Sequence, residues 1–223
     1  KYARKSIENI DMKKIALYLL LIMQAISVTA CQKEELDLGS GTVTPDENTN
    51  VLIVYYSWSG TTKGVAERMQ RMLHCDIYEI IPAVPYPSDS NDTHCRAVEE
   101  RESGNLPELR GSLPDLSKYD LILLGGPVWS DYVATPLMSY IAQSDFTGKR
   151  VAGFRTDAGT PGRYDSEFSR MAGESHAEEV GEMLGLSHVR SMSAERLDGR
   201  ITEWFRTVGA GDEEAAVERM SEK

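Results

Sequence analysis

Between an apolar run and an amphipathic stretch, the chain places Ser57-Trp58-Ser59-Gly60-Thr61-Thr62, four hydroxyls and a glycine in six residues. Each hydroxyl can donate a hydrogen bond to an oxyanion, and the glycine lets the backbone turn tightly enough for N–H groups to converge. Where such a turn opens a helix, the unpaired N–H groups of the first turn attract the same negative charge. The expected chemistry is an anion cradle with phosphate as its guest, held by Ser57, Ser59, Thr61 and Thr62 around Gly60. A nucleoside-triphosphate loop needs GxxxxGK[ST] and a dinucleotide fingerprint needs GxGxxG, and neither pattern occurs. The cradle therefore suits one terminal phosphate.

Other constellations fail when weighed. Cys95 and Arg101 have the bare spacing of a tyrosine-phosphatase loop. The residues between them, Arg96-Ala97-Val98-Glu99-Glu100, are helix formers with two carboxylates that would repel a phosphate dianion. Cys75 reads as a small core filler. The histidines at 74, 94, 176 and 188 lack metal-ligand spacing. The Glu-rich runs at 99–102, 178–182 and 213–218 read as solvated helix faces. Three cysteines, with no CxxC pair, build neither a disulfide framework nor a structural zinc site.

The elements that must position the cradle follow from periodicity. Val51 to Tyr56 is a continuous β-branched and aromatic run, expected of a strand buried on both faces of a parallel sheet. Val65, Ala66, Met69, Met72 and Leu73 then repeat at helical spacing. Asp76 to Ile81 reads as a second strand, broken by Pro82, Pro85 and Pro87, with a polar helix around 89–104. Tyr119 to Gly126 is a third, central strand, and Pro136 suits the first turn of a helix over 136–143. Arg150 to Phe154 makes a fourth strand. A helix over much of 164–184, a fifth strand over Leu186 to Met192 and a last helix capped by Ser193 complete the pattern. Alternating strands and helices predict an α/β fold, a doubly wound parallel sheet with helices on both faces.

The motifs recur in an order that resembles a bacterial flavodoxin-like family. They are Ser57 to Thr62, Tyr78-Glu79-Ile80, Tyr86-Pro87, Glu102-Ser103-Gly104, Pro107-Glu108-Leu109, Tyr119 to Trp129, Phe146-Thr147-Gly148-Lys149, and Phe154 with Thr156. The resemblance covers about 51–207. It implies a flavodoxin-like five-stranded parallel sheet of order 2-1-3-4-5, with FMN at the carboxyl ends of the strands where the order reverses. It further implies that Ser57, Trp58, Ser59, Gly60, Thr61 and Thr62 hold the FMN phosphate. Pro127, Val128 and Trp129 would line the isoalloxazine, with Trp129 or Tyr132 stacking on it. The loop from Thr156 through Asp157 and Gly159 to Gly162 would approach the ring edge through backbone amides. Ser130-Asp131 and Asp157-Ala158-Gly159 depart from the family's pattern of a second aromatic with a glycine and of a small, serine-rich run. Unless they point to solvent, these two carboxylates would oppose a phosphate and a reduced, anionic flavin.

The first thirty residues read as an address. Met12-Lys13-Lys14 precedes an apolar run from Ile15 to Met23, too short to span a membrane. Val28-Thr29-Ala30-Cys31 resembles a bacterial lipobox, which implies cleavage before Cys31 and its lipidation. The expected organisation is upstream residues and signal over 1–30, a flexible tether over 31–49, the flavodoxin-like domain over 50–208 and an acidic tail over 209–223. Lys and Arg number 24 against 35 Asp and Glu, a formal charge of −11, which argues against nucleic-acid binding. The expected function is electron transfer through noncovalently bound FMN, in a protein exported and lipid-anchored to the cell envelope. Its partner would be a basic redox protein. The alternatives are an NAD(P)H-dependent quinone or flavin reductase, and a flavin-free envelope binding module.

Overall fold

The computed structural model describes residues 49–210. The expected signal segment, lipidation residue Cys31, most of the tether and the acidic tail from 211 lie outside the described residues.

The chain order is strand β1 (Val51–Tyr55), helix α1 (Thr61–Leu73), β2 (Asp76–Glu79), α2 (Ser90–Ser103), β3 (Leu121–Trp129), β4 (Tyr132–Val133), α3 (Thr135–Gln143), β5 (Arg150–Asp157), α4 (Tyr164–Glu174), β6 (Glu178–Glu179), β7 (Leu184–Ser187) and α5 (Ala194–Thr207). The sheet runs β2-β1-β3-β5-β6, with β7 also paired to β5 and β4 folded back on β3. Its parallel body has the expected 2-1-3-4-5 order, with the fifth position shared by β6 and β7. Period-two alternation sends Val51, Ile53 and Tyr55 to one face, against Val65, Ala66 and Met69 of α1 and Ile201, Trp204 and Phe205 of α5. Leu52, Val54 and Tyr56 go to the other, against Leu137, Tyr140 and Ile141 of α3 and Tyr164, Phe168 and Met171 of α4. Both faces are covered, which is why β1 carries no polar residue.

Helix boundaries follow local chemistry. Asp89 caps α2 by accepting from Asn91 N at 2.8 Å and Asp92 N at 3.1 Å, and Ser193 caps α5 by accepting from Arg196 N. Pro136 lies in the first turn of α3 as the sequence predicts. Cys75 packs against the core, and burial pushes its thiol up to about 12, the behaviour of an inert filler. The Cys95–Arg101 stretch is continuous α2 helix.

The carboxyl-terminal third departs from expectation. The helix expected through 184 ends at Glu174. His176, at φ 63°, turns the chain, and Glu178–Glu179 becomes a short edge strand beside Arg150 and Val151. After a break at 180–183, Leu184–Ser187 pairs with Phe154–Asp157, so the fifth strand lies earlier than Leu186–Met192 and in two pieces. A side chain at Gly153 would collide with the Met183 methyl at 2.4 Å, so Met183 fills the strand face that Gly153 leaves bare.

Candidate functional site

The chain passes from β1 to β2 on one side of the sheet and returns to β3 on the other. That leaves a crevice at the carboxyl ends of β1 and β3. The loop 57–60 and the start of α1 stand at this crevice. Gly60 is the N-cap residue of α1, at φ 82°, a conformation that favours glycine, and no side chain caps the helix. Gly64 N donates to Gly60 O at 3.0 Å, closing the first turn. The N–H groups before it have no intrahelical acceptor, and the first turn carries no acid. Ser59 Oγ and Thr61 Oγ1 lie 3.2 Å apart. Ser57 Oγ is buried and has no hydrogen-bond partner, which is costly unless a ligand completes it. Amides, hydroxyls and an orphaned buried hydroxyl fit a phosphate.

Thr62 is buried and reaches across to Thr156 at the end of β5, with the two hydroxyls 2.8 Å apart. Thr156 is in register with Pro127 of β3. The 57–62 loop, the β3 end and the β5 end therefore meet. Trp58 is partly exposed and donates from Nε1 to Pro87 O at 2.9 Å, tying the loop to the segment after β2. That segment also covers the β3 end. Trp129 packs edge-on against Tyr56 (5.3 Å) and Tyr86 (4.9 Å). Tyr86 donates to Glu100, which also accepts from Thr135 Oγ1 at 2.6 Å and Arg96 Nε at 2.7 Å. Burial, with the Glu100 carboxylate beside it, pushes the Tyr86 phenol far above its usual range, so it stays a neutral donor. Tyr86 belongs to the Tyr86-Pro87 motif, but its pairing with Glu100, 14 residues away, gives no local signal in the sequence.

Of the two expected stacking residues, Tyr132 is engaged elsewhere. The Arg101 guanidinium covers its ring at 4.2 Å and Arg163 approaches its hydroxyl at 3.3 Å. Trp129 has no cation on its face among the described residues.

The two aspartates flagged in the sequence behave differently from each other. Asp157 does not point to solvent as a free charge. Its side chain is 1% exposed, it pairs with Arg155, and it accepts from Gly159 N at 2.7 Å. The Gly159 amide is thus committed inward rather than offered to a ring edge. Arg155 also donates from Nε to Asp165 Oδ1 at 2.7 Å. Asp131 sits at the tip of the two-residue β3–β4 hairpin, where Ser130 (φ 50°) and Asp131 (φ 73°) are both left-handed. Asp131→Gly should relieve that strain and raise stability by up to about 1 kcal/mol, read as a higher Tm; a lower Tm would refute this assignment.

The sequence of residues 50–199 matches the family described as Flavodoxin. Among solved structures, the chain resembles a candidate flavoprotein from Bacteroides eggerthii at 24% identity and TM-score 0.60, covering 72% of this chain and 98% of that one. A candidate flavoprotein from Bacteroides uniformis gives 24% identity and TM-score 0.57, with 71% and 98% covered. A flavoprotein from Lactobacillus acidophilus, in complex with FMN, is 30% identical with TM-score 0.53, covering 70% of this chain and 98% of that one. No curated protein matches the chain. The two Bacteroides likenesses speak to the fold alone. The family match spans most of the chain and takes in the phosphate-type loop, the β3 end and the β5 end, so this chain belongs to the flavodoxin family.

Proposed function

We propose that this protein binds FMN noncovalently and transfers electrons through it. The observation that carries the reading is the orphaned Ser57 hydroxyl beside the uncapped start of α1, in a family with an FMN-bound relative. Ser57, Ser59, Gly60, Thr61 and Thr62 would hold the phosphate, with Pro127, Val128 and Trp129 on one side of the ring and the Thr156–Gly162 loop on another. When bound, FMN supplies one- and two-electron redox chemistry. The chain's own contribution is positional. Trp129, braced by Tyr56 and Tyr86, offers an aromatic wall whose orientation is fixed before any ligand arrives. The Arg155 pairing neutralises the carboxylate that would otherwise oppose an anionic ring.

A visible spectrum of the full chain purified in detergent, before and after adding FMN, tests the reading. Resolved flavin bands and quenched fluorescence are expected, whereas a colourless protein that leaves FMN fluorescence untouched would sink it in favour of a flavin-free binding module. Steady-state NAD(P)H oxidation with a quinone then separates a reductase, which turns over, from a carrier, which does not. Envelope anchoring through Cys31 is part of the same proposal and rests on Val28-Thr29-Ala30-Cys31. Labelled palmitate should enter the wild-type chain and not Cys31→Ala.

A further inference from the structure

A residue that no motif marks reaches the phosphate-type loop from the far end of the chain. After β7, His188 adopts φ 53° and donates its N–H to Asp157 O at 2.9 Å. Ser191 N then donates to His188 O at 2.9 Å, closing a short turn over Val189–Ser191. Arg190 is thereby carried to the loop. Its Nε donates to Thr61 Oγ1 at 3.0 Å and its Nη2 to Ser59 O at 2.9 Å. Among the described residues no carboxylate pairs with Arg190, although the chain as a whole carries a formal charge of −11.

We propose that Arg190 is a phosphate clamp, a charged ligand that completes the cradle and makes the site select FMN over the uncharged riboflavin. The proposal rests on the FMN reading and adds the residue that discriminates the ester. A guanidinium carries five N–H donors in a planar fork that matches a phosphate. Two of them orient the loop, leaving the third nitrogen, Nη1, without a protein partner among the described residues. Because Thr61 Oγ1 accepts from Arg190, its own proton is free to go to Ser59 or outward to an anion. Hydroxyls and amides alone offer partial charges, whereas Arg190 adds a full one at the same place.

Titrating wild type, Arg190→Ala and Arg190→Lys with FMN and with riboflavin, by quenching of flavin fluorescence, tests this. Hydrogen bonds to charged groups give an expected loss of about 10- to 100-fold in FMN affinity for the alanine variant, with riboflavin affinity unchanged. Lysine keeps the charge but not the fork, so its loss should be smaller, and the difference should shrink as salt is raised. Unchanged FMN affinity in Arg190→Ala, or an equal fall for FMN and riboflavin, would overturn the clamp while leaving FMN binding intact. A wild-type chain that binds neither flavin would overturn the FMN reading and the clamp with it.

Discussion

Replacing Arg155 with methionine is expected to cost about 3–5 kcal/mol of stability, as removing one partner of a buried ion pair does. The Asp157 side chain is 1% exposed and that of Arg155 10%, so the lost cation would leave a carboxylate with little access to water. Burial alone would lower the Arg155 pKa, but the hydrogen bond and charge of Asp165, with the charge of Asp157, outweigh it and hold the guanidinium above its ordinary value. The site is shaped for this group. A side chain at Gly185, on the neighbouring β7, would sit 2.7–2.9 Å from the guanidinium. Asp165 is 48% exposed, so Asp165→Asn should cost well under about 1 kcal/mol. The decisive comparison is Arg155→Met with Asp157→Asn, which removes both charges and should recover most of the loss in urea denaturation. Recovery would show that the penalty is Asp157's uncompensated charge. If the double variant is as unstable as the single one, the penalty is packing at the β5–β7 seam and the electrostatic account fails.

The same aspartate shows how far the sequence could be read. The sequence places Asp157 in a loop near the ring, where its carboxylate would oppose an anion. Its partner was in view, because residues two apart on a strand share a face and Arg155 precedes it by two. What hid the pair was the end of β5. The apolar signal fades after Phe154, yet the strand runs to Asp157 because β7 pairs with its last four residues. The β1 run and the Ser57–Thr62 turn were legible because each is a local pattern, a buried strand and a hydroxyl-rich helix start. The β6–β7 region was not. Glu178–Glu179 is an exposed edge strand of two acids, so its composition is that of a helix face and only its pairing to Arg150–Val151 makes it a strand. The sequence puts Trp129 in a loop after the third strand, whereas β3 runs through Trp129 itself, and its bracing depends on Tyr86, 43 residues earlier. Arg190 lies 129 residues from Thr61 and has no local signature at all.

Gly162→Ala is expected to uncouple the two loops that would flank the flavin, and its signature differs from that of Arg190. Gly162 sits at φ 57°, and a side chain there would lie 2.3 Å from Asp131 Cβ and 2.4 Å from Asp131 Cα. Backbone atoms cannot rotate away, so the 158–163 loop must lift off the β3–β4 hairpin and strain the 2.6 Å hydrogen bond from Arg163 N to Asp131 O. Left-handed strain and overpacking together give an expected destabilisation of about 2–4 kcal/mol. The hairpin carries Trp129 at its start, so opening the seam shifts the segment that positions the aromatic wall. FMN and riboflavin affinities should then fall together, by about tenfold or more, because the ring pocket is damaged while the phosphate cradle at α1 is not. Adding Asp131→Gly removes the Cβ contact but not the Cα one, so it should rescue only part of the loss. If Gly162→Ala instead weakens FMN and spares riboflavin, the two loops do not form the ring site, and the flavin is held chiefly through its phosphate. If it spares both, the seam between hairpin and loop is only structural and the ring lies elsewhere along the sheet edge.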